Sequence, residues 1–516
     1  MDTYIRSWDV ENETFWESTG KRIANRNLWI SIPCLLCAFA VWLYWSIITV
    51  QLKNLGFPFD NVQLFTLAAI AGLAGATFRI PNSFLIAISG GRTVIALTTG
   101  LLIIPALGVG IALQDINTPY IVFAIMAALS GLGGGNFASS MSNISFFFPK
   151  RVQGMSLGLN AGLGNIGVSI MQILLPFVAT FALFSALGGS GLPLAVDAGG
   201  APAGTLRFIQ NSGLVWVPIL VALTLVAWFG MNNLAIATPK MESTLSALAK
   251  AFGLVMVGLV GTIVGLALLL GLEWSMWIVL PITIVCTVLI MKAIPGEIKE
   301  NLNTQFAIFK NKHNWIMTYL YVMTFGSFIG YSAAFPLLIR VVFGELPDGA
   351  DNPNAPNPFA YAWLGPLVGS IARPIGGWIS DKLGGAKVTQ WDTVIMILAA
   401  LGVAFFVRQA GTAAQPEQFF FPFLILFLIL FITTGIGNGS TFRMVPIIFE
   451  PSEAGPVLGW TSAVAAYGAF IIPKVFGQQV DAGTPEFALY GFAFYYFTCL
   501  LLNWYYYARK NAEIEC

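Results

Sequence analysis

Two arginines, Arg79 and Arg373, each lie in the middle of a long apolar stretch, and each lies eleven residues before a Gly-Gly pair that closes the stretch. An arginine at the centre of a bilayer costs at least about 2.5 to 3.5 kcal/mol, so it is retained where it faces a partner or an aqueous path. The planar guanidinium group matches planar oxyanions through two parallel hydrogen bonds, which a lysine cannot do. Two arginines at matched positions therefore indicate an anion site.

The composition places these arginines in a membrane protein. Of the 516 residues, 57% are hydrophobic and 9% are charged, and the mean hydropathy is +0.78. Water could not solvate the surface of such a chain. Apolar stretches of about 20 residues, long enough to cross a hydrocarbon core about 30 Å thick, recur along nearly the whole length. The sequence therefore predicts an all-α polytopic membrane protein.

Apolar runs bounded by charge, Gly and Pro predict fourteen spans arranged as two bundles of six with an extra hairpin between them. The predicted segments are a cytoplasmic N-terminal tail (1–27), an N-terminal six-helix bundle (28–236), a central linker (237–312) with a transmembrane hairpin at about 252–293, a C-terminal six-helix bundle (313–508) and a cytoplasmic tail (509–516). Most of the 25 Lys and Arg residues fall on the tail side of these spans, which predicts that both termini are cytoplasmic in the cell (inner) membrane. Residues 1–27 lack the apolar segment of a signal peptide and are expected to be exposed.

The two bundles resemble each other in sequence. Aligning Arg79 with Arg373 superposes Gly75 on Gly369 and the two Gly-Gly pairs on each other, at an offset of 294 (373 − 79). The segment 133–136 then corresponds to the segment 437–440 after a shift of about ten residues that loops can absorb. Two similar six-helix bundles in parallel orientation are typical of carriers that work by alternating access.

The charge of the two arginines has little acidic compensation in the sequence. Eleven residues of helix place each arginine about 16 Å from its Gly-Gly turn, close to the membrane midplane. The carboxylates near span ends are Asp60, Asp115, Glu345 and Glu450, and those expected near the inner surface are Asp381 and Asp392. Uncompensated charge favours a small anion, and the cost of moving an empty charged site favours exchange of one anion for another. The alternative for each arginine is pairing with a buried carboxylate or snorkelling.

Other function classes find less support. The sequence shows no nucleophile with a base, no metal-ligand cluster and no cofactor loop, so we expect neither an enzyme nor a bound metal or cofactor. No basic run with interleaved aromatic residues indicates nucleic acid as a partner. Arg443 lies seven residues before Glu450, and together with Asp381 it is a candidate for a gate or coupling role, with snorkelling as the alternative.

The stretch Gly133 to Lys150, GGGNFASSMSNISFFFPK, resembles the nitrate signature of the NarK-type nitrate/nitrite porters, a branch of the major facilitator superfamily. The segment Gly435 to Phe442 resembles that family's second signature, and Gly377 to Lys387 resembles the superfamily loop motif. The resemblance implies two six-helix bundles related by a pseudo-two-fold axis, with nitrate and nitrite as substrates held between Arg79 and Arg373. The central hairpin departs from the twelve spans usual in the family, and we expect it to be peripheral and not involved in transport.

The resemblance also implies further substrate-binding residues, namely Asn165, Tyr321, Phe137, Phe325 and Gly437. Asn165 and Tyr321 can donate hydrogen bonds, while Phe137 and Phe325 could sandwich a planar anion; core packing is the alternative for each ring. We expect a nitrate/nitrite antiporter that serves nitrate respiration or assimilation, contacts membrane lipid and acts as a monomer. Proton-coupled nitrate import is the alternative. A sensor that binds the anion without moving it is a second one, although the soluble tails are too short for an output domain.

Overall fold

Fourteen long helices make up most of the computed structural model, which describes residues 4–238, 243–296, 299, 303, 306–347 and 349–516. In chain order they are α1 (Glu13–Asn54), α2 (Asn61–Asn82), α3 (Gly91–Ala112), α4 (Tyr120–Ser145), α5 (Lys150–Val178), α6 (Asn211–Gly230), α7 (Thr244–Gly271), α8 (Met276–Ala293), α9 (Lys312–Phe343), α10 (Leu364–Leu383), α11 (Gly385–Thr412), α12 (Pro416–Ile448), α13 (Pro456–Asp481) and α14 (Pro485–Ala508). Within the described residues, thirteen are long and apolar enough to cross a membrane. The remaining one, α10, is less apolar because it carries Arg373, Asp381 and Lys382.

Short strands supplement the predicted all-helical fold. Strand β1 (Tyr4–Ile5) pairs in parallel with β4 (Asn233–Leu234), and β2 (Leu192–Pro193) pairs antiparallel with β3 (Leu206–Arg207). The β1–β4 pair joins the start of the chain to the end of α6, and Lys312 at the start of α9 pairs with Glu513 near the chain's end. We call the face that carries these chain ends the tail face, and the opposite face, which carries β2 and β3, the loop face.

The N-terminal segment differs from the predicted exposed tail. Helix α1 begins at Glu13, and both Trp8 and Trp16 are buried against the phenylalanines at the tail end of α4. The Trp8 indole also donates a hydrogen bond to the Phe146 carbonyl. Two large apolar rings supply enough buried area to hold an otherwise charged segment on the bundle. Parts of the predicted segments 1–27 and 237–312 lie outside the described residues.

The Gly-Gly turns close α10 and the segment after α2 in the same way. Gly90 has a φ of 78° and Gly384 has a φ of 91°, a backbone region that favours glycine. The prediction of one continuous helix from Arg79 to Gly90 is nevertheless wrong, because α2 ends at Asn82 and a short helix, Leu85–Ser89, follows. Pro81 lacks the N–H that would bond to the Thr77 carbonyl, and the Ser83 hydroxyl joins the Ser83 amide in bonding to the Arg79 carbonyl at the helix end.

The two bundles meet along a seam between α2 and α13. The Thr77 hydroxyl of α2 lies 2.9 Å from the Tyr467 hydroxyl of α13, and Gly72 allows the α13 backbone at Ala469 to approach closely. On the loop face, Lys53 pairs with Glu345 at 2.8 Å, and two further polar contacts, described below, also join the bundles. The bundles are therefore closed against each other on the loop face.

Helices α7 and α8 form the extra hairpin, and α7 packs along α2. The opposite side of the hairpin exposes large apolar side chains, including Ile263, Trp277, Val285 and Leu289. This apolar outer surface fits contact with lipid. The hairpin thus separates this apolar outer surface from the helix that carries Arg79.

Candidate anion site

Arg79 lies at the seam between the two bundles and is 0% exposed. Its Nε donates to the Gly134 carbonyl of α4 at 3.0 Å, and its Nη1 donates to the Ser462 carbonyl of α13 at 3.1 Å. Its Nη2 has no hydrogen-bond partner among the described residues. A buried N–H without a partner costs free energy, so this nitrogen is available to an acceptor that enters the site.

Three aromatic rings surround the Arg79 guanidinium. Its central carbon lies 4.8 Å from the Phe137 ring, 5.2 Å from the Phe325 ring and 5.4 Å from the Trp42 ring. Gly75 leaves the space that the Trp42 indole occupies, and the indole N–H donates to the Ala71 carbonyl at 2.7 Å. Ring faces attract cations by about 0.5 to 2 kcal/mol, which offsets part of the cost of burying the charge.

Arg373 has a more open environment on α10. The side chain is half-buried, its central carbon lies 5.1 Å from the Phe442 ring, and its Nη1 has no hydrogen-bond partner in the described part of the chain. The Tyr321 hydroxyl lies within electrostatic range of both Arg373 and Arg79. Each bundle thus contributes one arginine with an unpaired guanidinium nitrogen to the same region.

Tyr321 and Phe325 reach this region from a local irregularity in α9. The segment Val322–Gly326 forms a π-helical turn, a feature that often occurs at functional sites because it re-aims side chains. The Tyr321 and Phe325 rings stack at 5.7 Å with an angle of 11° between their planes. The Tyr321 hydroxyl donates to Asn438 Oδ1 at 3.0 Å, so Asn438 orients it toward α12.

The sandwich of an anion between Phe137 and Phe325 stays a prediction, and in this conformation the two rings face each other directly. The two rings stack on each other with centroids 6.2 Å apart and 24° between their planes. An anion between them would need about 7 Å, because each face requires a contact distance of about 3.5 Å. The rings instead form a wall beside Arg79.

The other predicted site residues occupy different surroundings. Asn165 is buried on α5, and its Oδ1 has no hydrogen-bond partner within the described residues. Gly437 packs against Thr324 and Asp392, and a methyl group at Gly437 would lie 2.8 Å from Asp392 Oδ2. Within the part of the chain that the structure describes, neither Asn165 nor Gly437 forms a hydrogen bond with either arginine. Their roles in substrate binding stay predictions.

The carboxylates near the site do not neutralise the arginines. Across the described ranges, none forms an ion pair with Arg79 or Arg373; Asp381 instead pairs with Arg443 near the tail face. Asp392 is buried on α11 and lies against Gly437 of α12. The guanidinium charges therefore face the space between the bundles without a protein counter-ion.

A cavity of about 420 Å³ leads from the tail face to this region. Its walls include Ser83 and Phe84 after α2, Ser145 and Phe146 of α4 and Leu458 and Gly459 of α13, and it ends at Phe137 and Ser462, which both contact Arg79. Toward the loop face the bundles are closed, so the site is approached from the tail side.

Sequence reasoning missed five groups that contact the predicted site: the Trp42 ring, the Gly134 and Ser462 carbonyls, the Asn438 amide and the Phe442 ring. Gly134 lies inside the first signature, and Asn438 and Phe442 lie inside the second, so those two segments carried a usable signal. Trp42 and Ser462 carried none, because each meets Arg79 only through tertiary packing.

Comparison with known proteins resolves the family. No family model matches the chain. The probable nitrate/nitrite antiporter NarK2 of Thermus thermophilus is 39% identical to it over 516 residues, which cover 100% of this chain and 98% of that relative. This chain belongs to the NarK-type nitrate/nitrite transporter family. A second NarK-type relative, the nitrate/nitrite transporter NarU of Escherichia coli (strain K12), is 36% identical over 98% of this chain and 96% of its own length.

Solved structures place this NarK-type chain in the major facilitator fold. The xylose transporter XylE from E. coli, in a partially occluded inward-open conformation, matches 93% of this chain and 99% of its own with a TM-score of 0.58 at 11% identity. A bacterial homologue of the human drug peptide transporters PepT1 and PepT2 matches with a TM-score of 0.56 at 12% identity. These similarities confirm the predicted fold class, while the two nitrate/nitrite transporter relatives support a carrier.

Proposed function

We propose that this chain exchanges nitrate for nitrite across the cell membrane, with the anion held between Arg79 and Arg373. The observation that carries this proposal is the pair of unpaired, uncompensated guanidinium nitrogens, one on each bundle. A planar oxyanion has acceptors in one plane, so it can take a hydrogen bond from Arg79 Nη2 on one side and from Arg373 Nη1 on the other. The complete site lies within one chain, which supports a functional monomer.

Alternating access follows from the position of this site at the seam. Arg79 bonds to a carbonyl on each bundle, so rocking one bundle against the other changes the surroundings of the guanidinium. The tail face is assigned to the cytoplasm from the distribution of Lys and Arg, and the closed loop face then makes this conformation inward-facing. Without an anion, the two cations would have to pass through a closed, low-dielectric state, which favours exchange over net transport.

Counterflow into proteoliposomes tests the exchange. We expect labelled nitrate to enter vesicles loaded with nitrite or nitrate and not vesicles loaded with chloride. Uptake into anion-free vesicles driven by a pH gradient would contradict exchange. Equal uptake with formate or chloride inside would contradict the substrate assignment.

Proton-coupled nitrate import is a second candidate, favoured by the Asp392 carboxyl. Asp392 lies about 10 Å from the start of α11, is buried, and its Oδ2 has no hydrogen-bond partner in the described part of the chain. A proton site in a membrane carrier requires such a titratable group. In this case Asp392→Asn should abolish uptake driven by a pH gradient, whereas under exchange it should leave counterflow within about twofold of the parent protein.

A further inference from the structure

The hairpin contacts the Arg79 helix through one glycine-lined face of α7. Gly258, Gly261 and Gly265 recur at spacings of three and four residues, so they share one side of the helix. Gly258 faces Phe78 of α2. Gly261 and Gly265 lie nearest to Thr287 and Thr283 of α8, and next to Thr77 and Leu73 of α2. The hairpin therefore follows α2 up to the residue that precedes Arg79.

The approach is close enough that side chains on α7 would not fit. A methyl group on Gly258 would lie 2.6 Å from Phe78 Cδ1 and 3.1 Å from Phe78 Cα. One on Gly261 would lie 3.0 Å from Thr77 Cγ2 and would also meet the Thr287 hydroxyl of α8. Because the Phe78 backbone can give way only by moving α2, the spacing between the helices is set at the peptide next to Arg79.

Thr77 connects this contact to the seam between the bundles. Its methyl group faces Gly261 of the hairpin, while its hydroxyl lies 2.9 Å from the Tyr467 hydroxyl and donates to the Leu73 carbonyl at 2.7 Å. One residue thus contacts the hairpin and the opposite bundle at the same time. A shift of α7 would therefore displace both Arg79 and Thr77, the residue that contacts the opposite bundle.

The equivalent helix of the other bundle has no such cover. Trp378 on α10 is 58% exposed, and Ile371 and Ile375 are also exposed, whereas every residue of α2 from Leu64 to Asn82 is buried. Glycines at a transmembrane helix interface allow the two backbones to approach closely, so the hairpin covers α2 at short range where, among the described residues, α10 has no covering helix.

We infer that the hairpin α7–α8 positions Arg79 for anion binding by fixing the α2 backbone at Thr77 and Phe78. This rests on the proposed role of Arg79 in the site. Arg79 donates hydrogen bonds to two carbonyls and has one nitrogen left for the anion. A displacement of the guanidinium group by about 1 Å therefore weakens anion binding strongly. Gly258, Gly261 and Gly265 are positioning residues rather than ligands.

Substitutions on α7 separate positioning from general packing. Gly258→Val and the milder Gly258→Ala push against α2, while Gly253→Val and Gly253→Ala serve as matched controls, since no atom lies within 4 Å of a methyl group at Gly253. We expect Gly258→Val to raise the nitrate KM in counterflow about tenfold and Gly258→Ala about threefold, with smaller changes in kcat. Both Gly253 variants should stay within twofold. The rise in melting temperature that nitrate produces in a thermal unfolding assay should become smaller in the same order. Melting temperatures measured without anion are compared between each Gly258 variant and the matching Gly253 variant.

Rescue provides a readout that a structural role would not give. Phe78→Ala removes the ring atoms that the new methyl group would meet, so Gly258→Ala combined with Phe78→Ala should recover nitrate KM relative to Gly258→Ala alone. If Gly258→Val does not reach the membrane, the alanine series decides. Unchanged KM in both Gly258 variants, or equal losses at Gly253 and Gly258, would overturn the inference. Arg79→Lys, run in parallel, separates the proposals, because full activity of that variant would overturn the anion site itself.

Discussion

Arg79 and Arg373 occupy equivalent positions on α2 and α10, yet their surroundings differ. Arg79 is enclosed by three rings, two carbonyls and a helix covered by the hairpin. Arg373 is half-buried beside a single ring, on a helix that exposes Ile371, Ile375 and Trp378. The internal repeat therefore keeps the position of the charge but not the rigidity with which the charge is held.

This difference gives the two arginines different tasks in the proposed exchange. A side chain fixed by hydrogen bonds and packing is pre-organised, so it contributes affinity without an ordering cost. A half-buried side chain retains rotamer freedom and water, so it can move onto an anion that has already entered. Arg79 then sets the location of the anion, and Arg373 completes its coordination.

The largest expected effects come from replacing the arginines themselves. Arg79→Lys should lower kcat/KM for nitrate counterflow by about 100-fold, because one ammonium cannot keep both carbonyl contacts and still bind the anion. Arg373→Lys should lower it by about tenfold, since that side chain makes fewer fixed contacts. Rates measured at several nitrate concentrations give the ratio. Equal losses would contradict the proposed asymmetry.

The aligned glycines Gly75 and Gly369 test whether ring packing beside Arg79 matters more than ring packing against the helix that carries Arg373. A methyl group at Gly75 would collide with the Trp42 indole, which touches Arg79, whereas one at Gly369 would lie 2.8 Å from Phe328. Overpacking of this kind costs about 1 to 3 kcal/mol. We expect Gly75→Ala to reduce exchange about tenfold and Gly369→Ala to reduce it less than threefold, with both lowering the melting temperature. A larger transport defect in Gly369→Ala than in Gly75→Ala would contradict the expectation that the packing beside Arg79 matters more.

The pair Asp381 and Arg443 exists only in the C-terminal bundle, because the position equivalent to Asp381 is Ala87 (381 − 294). Both partners are exposed, at 59% and 41%, so the pair is expected to contribute little. Arg443→Gln should change the exchange rate less than about threefold. A double-mutant cycle with Asp381→Asn measures the coupling free energy between the two side chains from the exchange rates. A coupling free energy well above about 1 kcal/mol would identify the pair as a gate rather than a weak surface ion pair.

The smallest effect concerns the chain ends. The N-terminal segment is held by the buried rings Trp8 and Trp16, whereas the C-terminal segment is held by charge, and the hydrogen bond from Lys312 lowers the pKa of Glu513 below its ordinary value of 4.5. A lowered pKa means that docking is stabilised above pH 4.5 and that this stabilisation is lost as the pH falls through the lowered value.

Hydrogen exchange of residues 509–516, corrected for intrinsic rates, should therefore increase a few-fold on acidification. The Glu513→Gln variant should show this faster exchange already at neutral pH. Residues 8–16 should not respond in either protein. A parallel response of both ends to pH would show that the contrast between them is not electrostatic.

Much of the fold was accessible from the sequence because bilayer thickness fixes the length of an apolar run. The C-terminal bundle, expected to start at residue 313, starts with α9 at Lys312. The start of α1 at Glu13 was not accessible, since its first turns are charged and depend on where Trp8 and Trp16 pack. The break after Asn82 was also missed, because Pro81 near a helix end is compatible with either a kink or a stop.

The site shows the same limit. The arginines were found because a buried charge is costly wherever it lies, and the rings of Phe137, Tyr321 and Phe325 were found through the family resemblance. The contact of Arg79 with Ser462 joins residues 383 positions apart, and no local pattern predicts it. The burial of Asp392 and the location of the hairpin against α2 likewise depend on how separate helices pack.

In the proposed alternating-access cycle, the contacts on the loop face have a consequence for the energetics. Besides the ion pair of Lys53 with Glu345, Arg340 donates to Asn54 at 3.0 Å and Lys474 donates to Thr66 at 3.0 Å, and each contact joins the two bundles. At about 1 kcal/mol each, three such contacts bias the resting population toward the closed loop face by about two orders of magnitude. An anion arriving from the tail side meets a receptive carrier, whereas one arriving from the loop side meets only the minor population. The apparent affinity for the same anion is therefore expected to be weaker from the loop side, even though both sides use one site.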